Sequence, residues 1–595
     1  MSPSPTLLFL HGVTHADPSD KWRTTLDESL KRVGYAGLTG LDVIAPSFKY
    51  ALQGVDDDIA IPAVTVRLPR GDRGKAHRRD FERRRAAMEA RLQREAPGHG
   101  LPGVEPLFGL VAMQIEAVDN YVRNPRVRAV VLQRILSRLP SEGRLVIIGH
   151  SLGSVIAADL IRRLPVGLDV TGVLSIGSPL GHPSVHVDGL QALLEDPPAN
   201  LGWWVNFRAA GDVVPAGRGL CSVFPWVLDQ RIRDFNPLPA HFAATYMKDH
   251  GVATAVGFAA YGSLSTELVP SSSGVEIVLD FAETFSLLAL RYAHLTLREL
   301  DGDAKDRFAE ALRRAQAETV EHIRRRNDRT GRPTPGLIAR LGVDLTDPFS
   351  QAPEPVISGH LEAGDAVVLL LAILEANVVA PYEIEVGKDP RRMAMENLTL
   401  EMGFGTSLGT AVFEAIEEAQ RALKGETNKM KWVALGMGSA ALLVATGGLA
   451  LAAAPGVAGA AAITSALAAF GPGGMIGGLL TAGTLLSAGG GGVAVGLAAP
   501  GTTAETVEAV VAAQLSAAIL RSLRNLDQDP QTWANLVETE IEVRREIGRL
   551  EHISDKSAPS LKAARRKLET LELAIGYLDR ENLRPAAVAL EAPLA

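Results

Sequence analysis

The sequence has almost no cysteine and no long apolar run near its first residue. Cys221 is the only cysteine among 595 residues, which excludes an internal disulfide framework. The opening residues MSPSPTLLFLHG contain an apolar run of only four residues, too short for the apolar part of a secretory signal. We therefore expect a protein of the reducing cytoplasm.

Charge is also absent over one long stretch. No Asp, Glu, Lys, Arg or His occurs in residues 432–504. Residues 432–454 are long enough to span a bilayer, whereas residues 475–499, which contain eight glycines, form the weaker span. Two interpretations follow. The stretch is a membrane-inserting hairpin, which we prefer, or a close-packed Gly/Ala helical core covered by charged helices.

Three lysines precede this stretch: Lys424, Lys429 and Lys431. Because positive charge stays on the cytoplasmic side of a membrane, the stretch should begin there, and a two-span hairpin returns the chain to the same side. We therefore expect a cytoplasmic protein that is associated with, or inserted in, the cytoplasmic face of a membrane. Its oligomeric state is left open.

The charge that is present gives little sign of nucleic-acid binding. The formal net charge is only −8, and the dense arginine run of residues 67–95 is not interleaved with aromatic residues. We interpret this run as a solvated helix on a cap. Docking to anionic lipid headgroups is the second interpretation and nucleic-acid binding the third. We expect no nucleic-acid partner.

The pattern of apolar residues divides the chain into four regions. Residues 1–262 alternate buried-strand patterns with helical periodicity, which is typical of parallel βαβ units in an α/β domain, with a cap-like insert at about 50–120. Residues 263–430 have the pattern of a helical region. Residues 431–504 form the uncharged Gly/Ala-rich segment, and residues 505–595 a helical hairpin tail.

One pentapeptide matches a motif that presents a serine as a nucleophile. Gly149-His150-Ser151-Leu152-Gly153 fits the nucleophile elbow G-x-S-x-G. A buried-strand run at 145–148 precedes it and an amphipathic helical pattern follows it, as the motif requires. The strained turn lifts the serine oxygen clear of the sheet, and the glycines remove Cβ atoms that would clash.

The same pattern occurs a second time, at residues 405–409 around Ser407. No clear buried strand precedes this copy, and the only later histidine is His552. We interpret Ser407 as part of a turn and helix start. The pentapeptide alone is therefore weak evidence, and Ser151 needs further support.

A serine hydroxyl becomes a good nucleophile only when a base takes its proton and a carboxylate orients that base. In a chain with this elbow the acid and then the histidine follow, each after a later strand. Asp212 lies just past the strand pattern WWVNFRAA, and His241 lies in a loop that opens a helix. We therefore assign the catalytic roles to Ser151, Asp212 and His241.

Other residues compete for these roles. His250 is the rival base, but it falls about nine residues into the pattern that we read as one helix, from which Ser151 is harder to reach. Asp234 and Asp249 are the weaker candidates for the acid and are interpreted as surface carboxylates.

The negative oxygen that develops during acyl transfer needs N–H donors. The backbone N–H of Leu152, at the helix start, is one candidate. The backbone N–H of Val13 is the other, because it follows the first buried strand and the pair His11-Gly12. The alternative for this pair is a turn glycine next to a packed histidine.

Residues 1–262 resemble a bacterial serine hydrolase of the α/β-hydrolase superfamily, near the lipase and esterase branch. The resemblance rests on segments that occur in that family's order: LLFLHGV, VIIGHSLGSVIAADLIRRLP, VLSIGSPLG, WWVNFRAAGDVVP and AHFAATYM. It implies an α/β-hydrolase fold, here followed by an all-α C-terminal region, and it supports His241 as the base. The insert and the C-terminal half depart from a plain esterase.

Two functions remain at this point. The preferred one is a membrane-associated serine esterase or lipase that cleaves acyl esters or lipids with a Ser-His-Asp triad and needs no cofactor or metal. The alternative is a membrane-inserting or pore-forming protein whose hydrolase-like domain is regulatory or binding only, since fold does not fix function.

Overall fold

The computed structural model describes residues 4–12, 20–48, 50–53, 59–94, 115–187, 189–209, 212, 214, 219–232, 241–264, 274, 276–357, 361–423, 497–499 and 502–585. The chain divides into two compact units. Unit 1 comprises Met1–Val269 with Leu345–Phe349, and unit 2 comprises Pro270–Asp344 with Ser350–Ala595.

Unit 1 is built on a six-stranded sheet in which every strand pair is parallel, in the order β2-β1-β3-β4-β5-β6. The strands are β1 (Thr6–Leu10), β2 (Asp42–Ile44), β3 (Glu142–His150), β4 (Gly167–Ile176), β5 (Trp204–Ala209) and β6 (Leu228–Ile232). The central strands are nearly continuous apolar runs because helices cover both faces. The predicted α/β class with a mainly parallel sheet is confirmed.

Helices pack on both faces of this sheet. They are α1 (Lys21–Arg32), α2 (Asp72–Arg94), α3 (Ile115–Arg123), α4 (Pro125–Leu136), α5 (Leu152–Leu160), α6 (Leu190–Leu193), α7 (Ala243–Met247) and α8 (His250–Tyr261). Successive side chains of β1 point to opposite faces, so Leu8 packs in one core with α4 and α5, and Leu7 packs in another with α1 and α8.

Most of the arginine-rich run forms α2, and the expectation of a solvated helix holds for only part of its surface. Phe81, Met88 and Leu92 on this helix are buried in the cores of unit 1. Arg91 is also buried, and its guanidinium lies 3.9 Å from the ring centre of Phe258. The apolar residues are widely spaced among the charges, so composition alone hides the face that packs.

Among the described residues of unit 2 the regular elements are all helices, as expected for a helical C-terminal region. Its helices are α9 (Phe281–Arg298), α10 (Gly302–Thr330), α11 (Gly336–Ala339), α12 (Ala363–Glu375), α13 (Lys388–Glu401), α14 (Thr406–Leu423), α15 (Ala504–Leu523), α16 (Pro530–Ile553) and α17 (Pro559–Arg580). The helices α16 and α17 pack against each other. The tail thus contains one helix, α15, beyond the expected hairpin.

Helix α15 lies in the core of unit 2. It packs against α12, α14 and α17, and apolar residues cover most of its circumference. It is the one helix of the described chain that is long and apolar enough to cross a membrane, but 83% of its apolar 18-residue stretch is buried inside the protein. Such a helix suits a soluble core as well as a bilayer, so it is weak evidence for insertion.

Residues 432–454 and the three preceding lysines lie outside the described residues, as does most of the second span. At the end of that second span, Leu497 and Ala498 are buried in the helical core of unit 2.

Candidate active site

Ser151 occupies a sharp turn between strand β3, which ends at His150, and helix α5, which begins at Leu152. Its backbone has φ 51° and ψ −125°, a conformation that an L-residue with a side chain rarely adopts. The turn is held because the Ser151 N–H donates to the Ile176 carbonyl of the neighbouring strand at 3.1 Å. This is the strained strand-to-helix turn that the motif predicts.

The two glycines of the motif allow the helix to approach the sheet closely. A Cβ atom on Gly153 would lie 2.0 Å from the carbonyl oxygen of Leu10, at the end of β1. A Cβ atom on Gly149 would lie 2.6 Å from the Cα of Ser154. Neither backbone neighbour can move without displacing β1 or α5, so both positions require glycine.

The structure brings the three predicted catalytic side chains together. His241 Nε2 lies 3.1 Å from Ser151 Oγ, and His241 Nδ1 lies 2.9 Å from Asp212 Oδ2. Asp212 follows β5, and His241 lies between β6 and α7, so each residue stands beyond the carboxyl end of a different strand. These are the distances that let a histidine accept a serine proton while a carboxylate orients its ring.

Asp212 is held as a carboxylate by three donors. Its side chain is fully buried, and it accepts hydrogen bonds from His241, from the Tyr246 hydroxyl at 2.6 Å and from the Val214 N–H at 3.0 Å. Burial alone would raise the pKa of Asp212, but these hydrogen bonds and the interaction with His241 outweigh it and hold the pKa below its usual value. The acid is therefore ionised at neutral pH.

Tyr246 was not assigned a function from the sequence. Burial and the adjacent charge of Asp212 raise the pKa of Tyr246, so its hydroxyl stays protonated and donates a hydrogen bond to the Asp212 carboxylate. The same oxygen accepts from the Ala209 N–H at 3.1 Å. Tyr246 thus ties the acid to the end of β5.

Gly177 is a second residue that sequence reasoning left without a function. It follows β4 with φ 56°, and a Cβ atom there would lie 2.9 Å from Asp212 Oδ2 and 3.1 Å from His241 Nδ1. Any side chain at this position would enter the contact between acid and base. The segment VLSIGSPLG shows a glycine directly after a strand pattern, but only the fold shows which residues this glycine faces.

Of the two predicted oxyanion donors, the structure describes Leu152 but not Val13. Leu152 is the first residue of α5, and the first N–H groups of a helix have no partner within the helix. Val13 lies outside the described residues. Its neighbour Gly12 is described, and a Cβ atom on Gly12 would lie 2.9 Å from Ser151 Cβ, so the chain leaving β1 passes directly over the nucleophile.

The rival residues lie elsewhere or have other partners. Two helices, α7 and α8, replace the single helix that we expected after His241, and His250 is the first residue of α8. Asp249 caps that helix by accepting from the N–H groups of Gly251 and Val252. Asp234 lies outside the described residues. It is His241, not His250, that the structure places at the nucleophile.

The second copy of the pentapeptide lies in unit 2. Ser407 is in the first turn of α14, and its hydroxyl accepts a hydrogen bond from the Arg524 guanidinium at 3.1 Å. It follows Gly405, whose φ is 80°. A turn and a helix start are what the sequence context indicated for this serine.

The described residues contain no cluster of three or more His, Cys, Asp or Glu side chains that could hold a metal ion. Comparison of the chain with protein-family models, with curated proteins and with solved structures finds no match. The geometry of the site is suited to generating a serine nucleophile, transferring its proton and orienting the base.

Proposed function

We propose that the chain is a serine hydrolase of carboxylic esters, built on an α/β-hydrolase fold. The observation that carries the proposal is the continuous hydrogen-bonded line from Ser151 through His241 to Asp212 at one edge of a parallel sheet. The strained backbone of Ser151 and the chain order serine, acid, histidine support the same assignment.

The proposed reaction uses the three side chains in two half-reactions. Ser151 Oγ attacks the ester carbonyl carbon while His241 Nε2 takes the hydroxyl proton, and Asp212 stabilises the imidazolium. The carbonyl oxygen becomes an oxyanion, held by the N–H of Leu152 and, as expected from sequence, that of Val13. The oxyanion collapses, His241 protonates the departing alcohol, and an acyl-serine remains. Water deprotonated by His241 then releases the acid.

A fluorophosphonate probe tests this proposal directly, because it phosphonylates only serines that are activated as nucleophiles. We expect the full-length protein to be labelled at Ser151, with the adduct located by peptide mass spectrometry. Ser151→Ala should abolish labelling, since the alanine lacks the attacking oxygen. Ser407→Ala is the matched control because it alters the same pentapeptide pattern, and it should label like the wild type.

Two further outcomes define the test. Heat-denatured protein should not react, because labelling depends on the distance between Ser151 and His241. If the folded protein is neither labelled nor able to hydrolyse a short p-nitrophenyl ester, the proposal is wrong. The alternative, a hydrolase-like domain with a regulatory or binding function in a membrane-inserting protein, would then be preferred.

We also propose that residues 432–496 of the uncharged range attach the protein to a membrane and thereby direct it to acyl lipids, whereas Leu497 and Ala498 pack in the helical core of unit 2. The support is the absence of charge over this whole range, since an exposed apolar surface of that extent would promote aggregation unless protein or lipid covers it. Full-length protein should float with vesicles in a density gradient and resist alkaline or high-salt extraction, because hydrophobic burial does not respond to salt screening as a basic patch does.

A charge inserted in the apolar run tests that attachment. Leu443→Arg replaces an apolar residue in the stronger span and costs about 3 kcal/mol of insertion free energy, so it should shift protein from the floating to the soluble fraction. Leu523→Arg is the control, because that side chain is 47% exposed at the end of α15. Wild-type protein that stays soluble without detergent would contradict the proposal.

A further inference from the structure

His150 connects the nucleophile to the loop that carries the base. Its Nε2 lies 2.7 Å from the backbone carbonyl oxygen of His241, a residue 91 positions later in the chain. A carbonyl oxygen only accepts hydrogen bonds, so the hydrogen must be on His150 Nε2. The bond therefore fixes which tautomer His150 adopts.

This bond closes a ring of contacts. His150 is joined covalently to Ser151, Ser151 Oγ lies 3.1 Å from His241 Nε2, and the His241 carbonyl returns to His150. His150 itself is the last residue of β3, a central strand of the sheet. The backbone of His241 therefore cannot move away from the nucleophile without stretching a hydrogen bond to the end of a central strand.

We propose that His150 is a positioning residue that holds His241 against Ser151 through the hydrogen bond from Nε2 to the His241 carbonyl. This inference rests on the proposed function. His150 is the residue between glycine and serine in the motif, and it is not a member of the proposed triad. Small displacements of a catalytic group lower the rate strongly, so a fixed backbone at the base is worth a large factor in turnover.

The position also requires His150 to stay neutral. Its ring centre lies 4.9 Å from that of His241, which carries a positive charge during the reaction, and a second imidazolium there would oppose that charge. The other titratable groups that face His150 are Asp212 and His11. Burial first, and then His241, lower the pKa of His150 to about 3, although Asp212 and the bond to the His241 carbonyl act in the opposite direction.

Two substitutions separate this function from mere packing. His150→Leu removes the donor, and we expect kcat and the rate of fluorophosphonate labelling to fall roughly 10- to 100-fold with KM little changed. His150→Gln keeps a neutral N–H donor and should recover most of that loss. A purely structural residue would lower the yield of folded protein without this split between kcat and KM.

His186 offers a matched control in the same unit. Its Nε2 lies 2.8 Å from the Leu180 carbonyl oxygen, so it makes the same kind of bond at nearly the same length, and its ring packs near Phe224 rather than His241. His186→Leu should leave the labelling rate within about twofold of the wild type, because no positioned catalytic group depends on the bond. An equal loss in both leucine variants would overturn the inference.

A spectroscopic measurement on the unaltered protein decides the matter even if His150→Leu does not fold. In selectively ¹⁵N-histidine-labelled protein, assigned with His150→Gln, His150 should remain the neutral Nε2–H tautomer between about pH 5 and pH 8. An imidazolium or an Nδ1–H tautomer in that range would overturn the inference. Its failure differs from that of the proposed function, which would show no labelling of wild-type Ser151.

Discussion

Replacing His241 with alanine is expected to lower kcat for ester hydrolysis about 10⁶-fold, comparable to losing the nucleophile, because the members of a triad act as a unit. Among the histidines that the structure describes, His241 is the one whose Nε2 lies within hydrogen-bond distance of Ser151 Oγ, so we expect it to take the serine proton. Steady-state kinetics on a short p-nitrophenyl ester measure the effect, with circular dichroism to show that the variant is folded.

His250→Ala is the matched control for that change. His250 is the other histidine of the same segment, and it begins helix α8 rather than facing the nucleophile. We expect its replacement to leave kcat within about twofold of the wild type. A variant His241→Ala that keeps its activity while His250→Ala loses it would show that the base is assigned to the wrong residue.

The sequence was sufficient for the parts of unit 1 that depend on local pattern. The apolar run at β1 predicts Thr6–Leu10 as observed, and the strand, turn and helix around Ser151 follow from the motif. Asp212 and His241 could be chosen because the carboxyl ends of parallel strands meet at one edge, so strand ends that are distant in sequence converge.

What the sequence could not provide is the set of contacts between distant loops. The bond from His150 to the His241 carbonyl joins residues 91 positions apart, and the bond from the Tyr246 hydroxyl to Asp212 joins residues 34 positions apart. No periodicity encodes such contacts. The sequence shows a glycine at position 177, but the reason that position requires glycine is its contact with the acid and the base.

The sequence of an apolar helix also does not show whether protein or lipid covers it. Helix α15 is apolar around most of its surface, and its sequence would suit a membrane span, yet α12, α14 and α17 surround it. A protein core and a bilayer select the same side chains, so composition predicts that a helix is covered but not what covers it. Conversely, α2 is rich in arginine and still contributes Phe81 to a core.

The second large loss of activity is expected on replacing Asp212, whose carboxylate accepts hydrogen bonds from three donors. Oδ2 accepts from His241 Nδ1 and from the Tyr246 hydroxyl, and Oδ1 accepts from the Val214 N–H. An asparagine amide would have to point its NH₂ group at one of these donors. The least costly escape is for His241 to adopt the other tautomer, with its hydrogen on Nε2 facing Ser151, where it can no longer accept the serine proton.

Asp212→Asn should therefore lower kcat about 10⁴-fold while the protein still folds, because the imidazole loses both its tautomer and its stabilising charge. Asp229→Asn is the matched control. Asp229 also accepts several hydrogen bonds in unit 1, from Asn206 at 2.7 Å and from the backbone N–H groups of Leu220 and Cys221, but it does not contact the base. We expect its activity per folded molecule to stay within about threefold of the wild type. Near-normal turnover of Asp212→Asn on a short p-nitrophenyl ester would mean that another carboxylate orients His241.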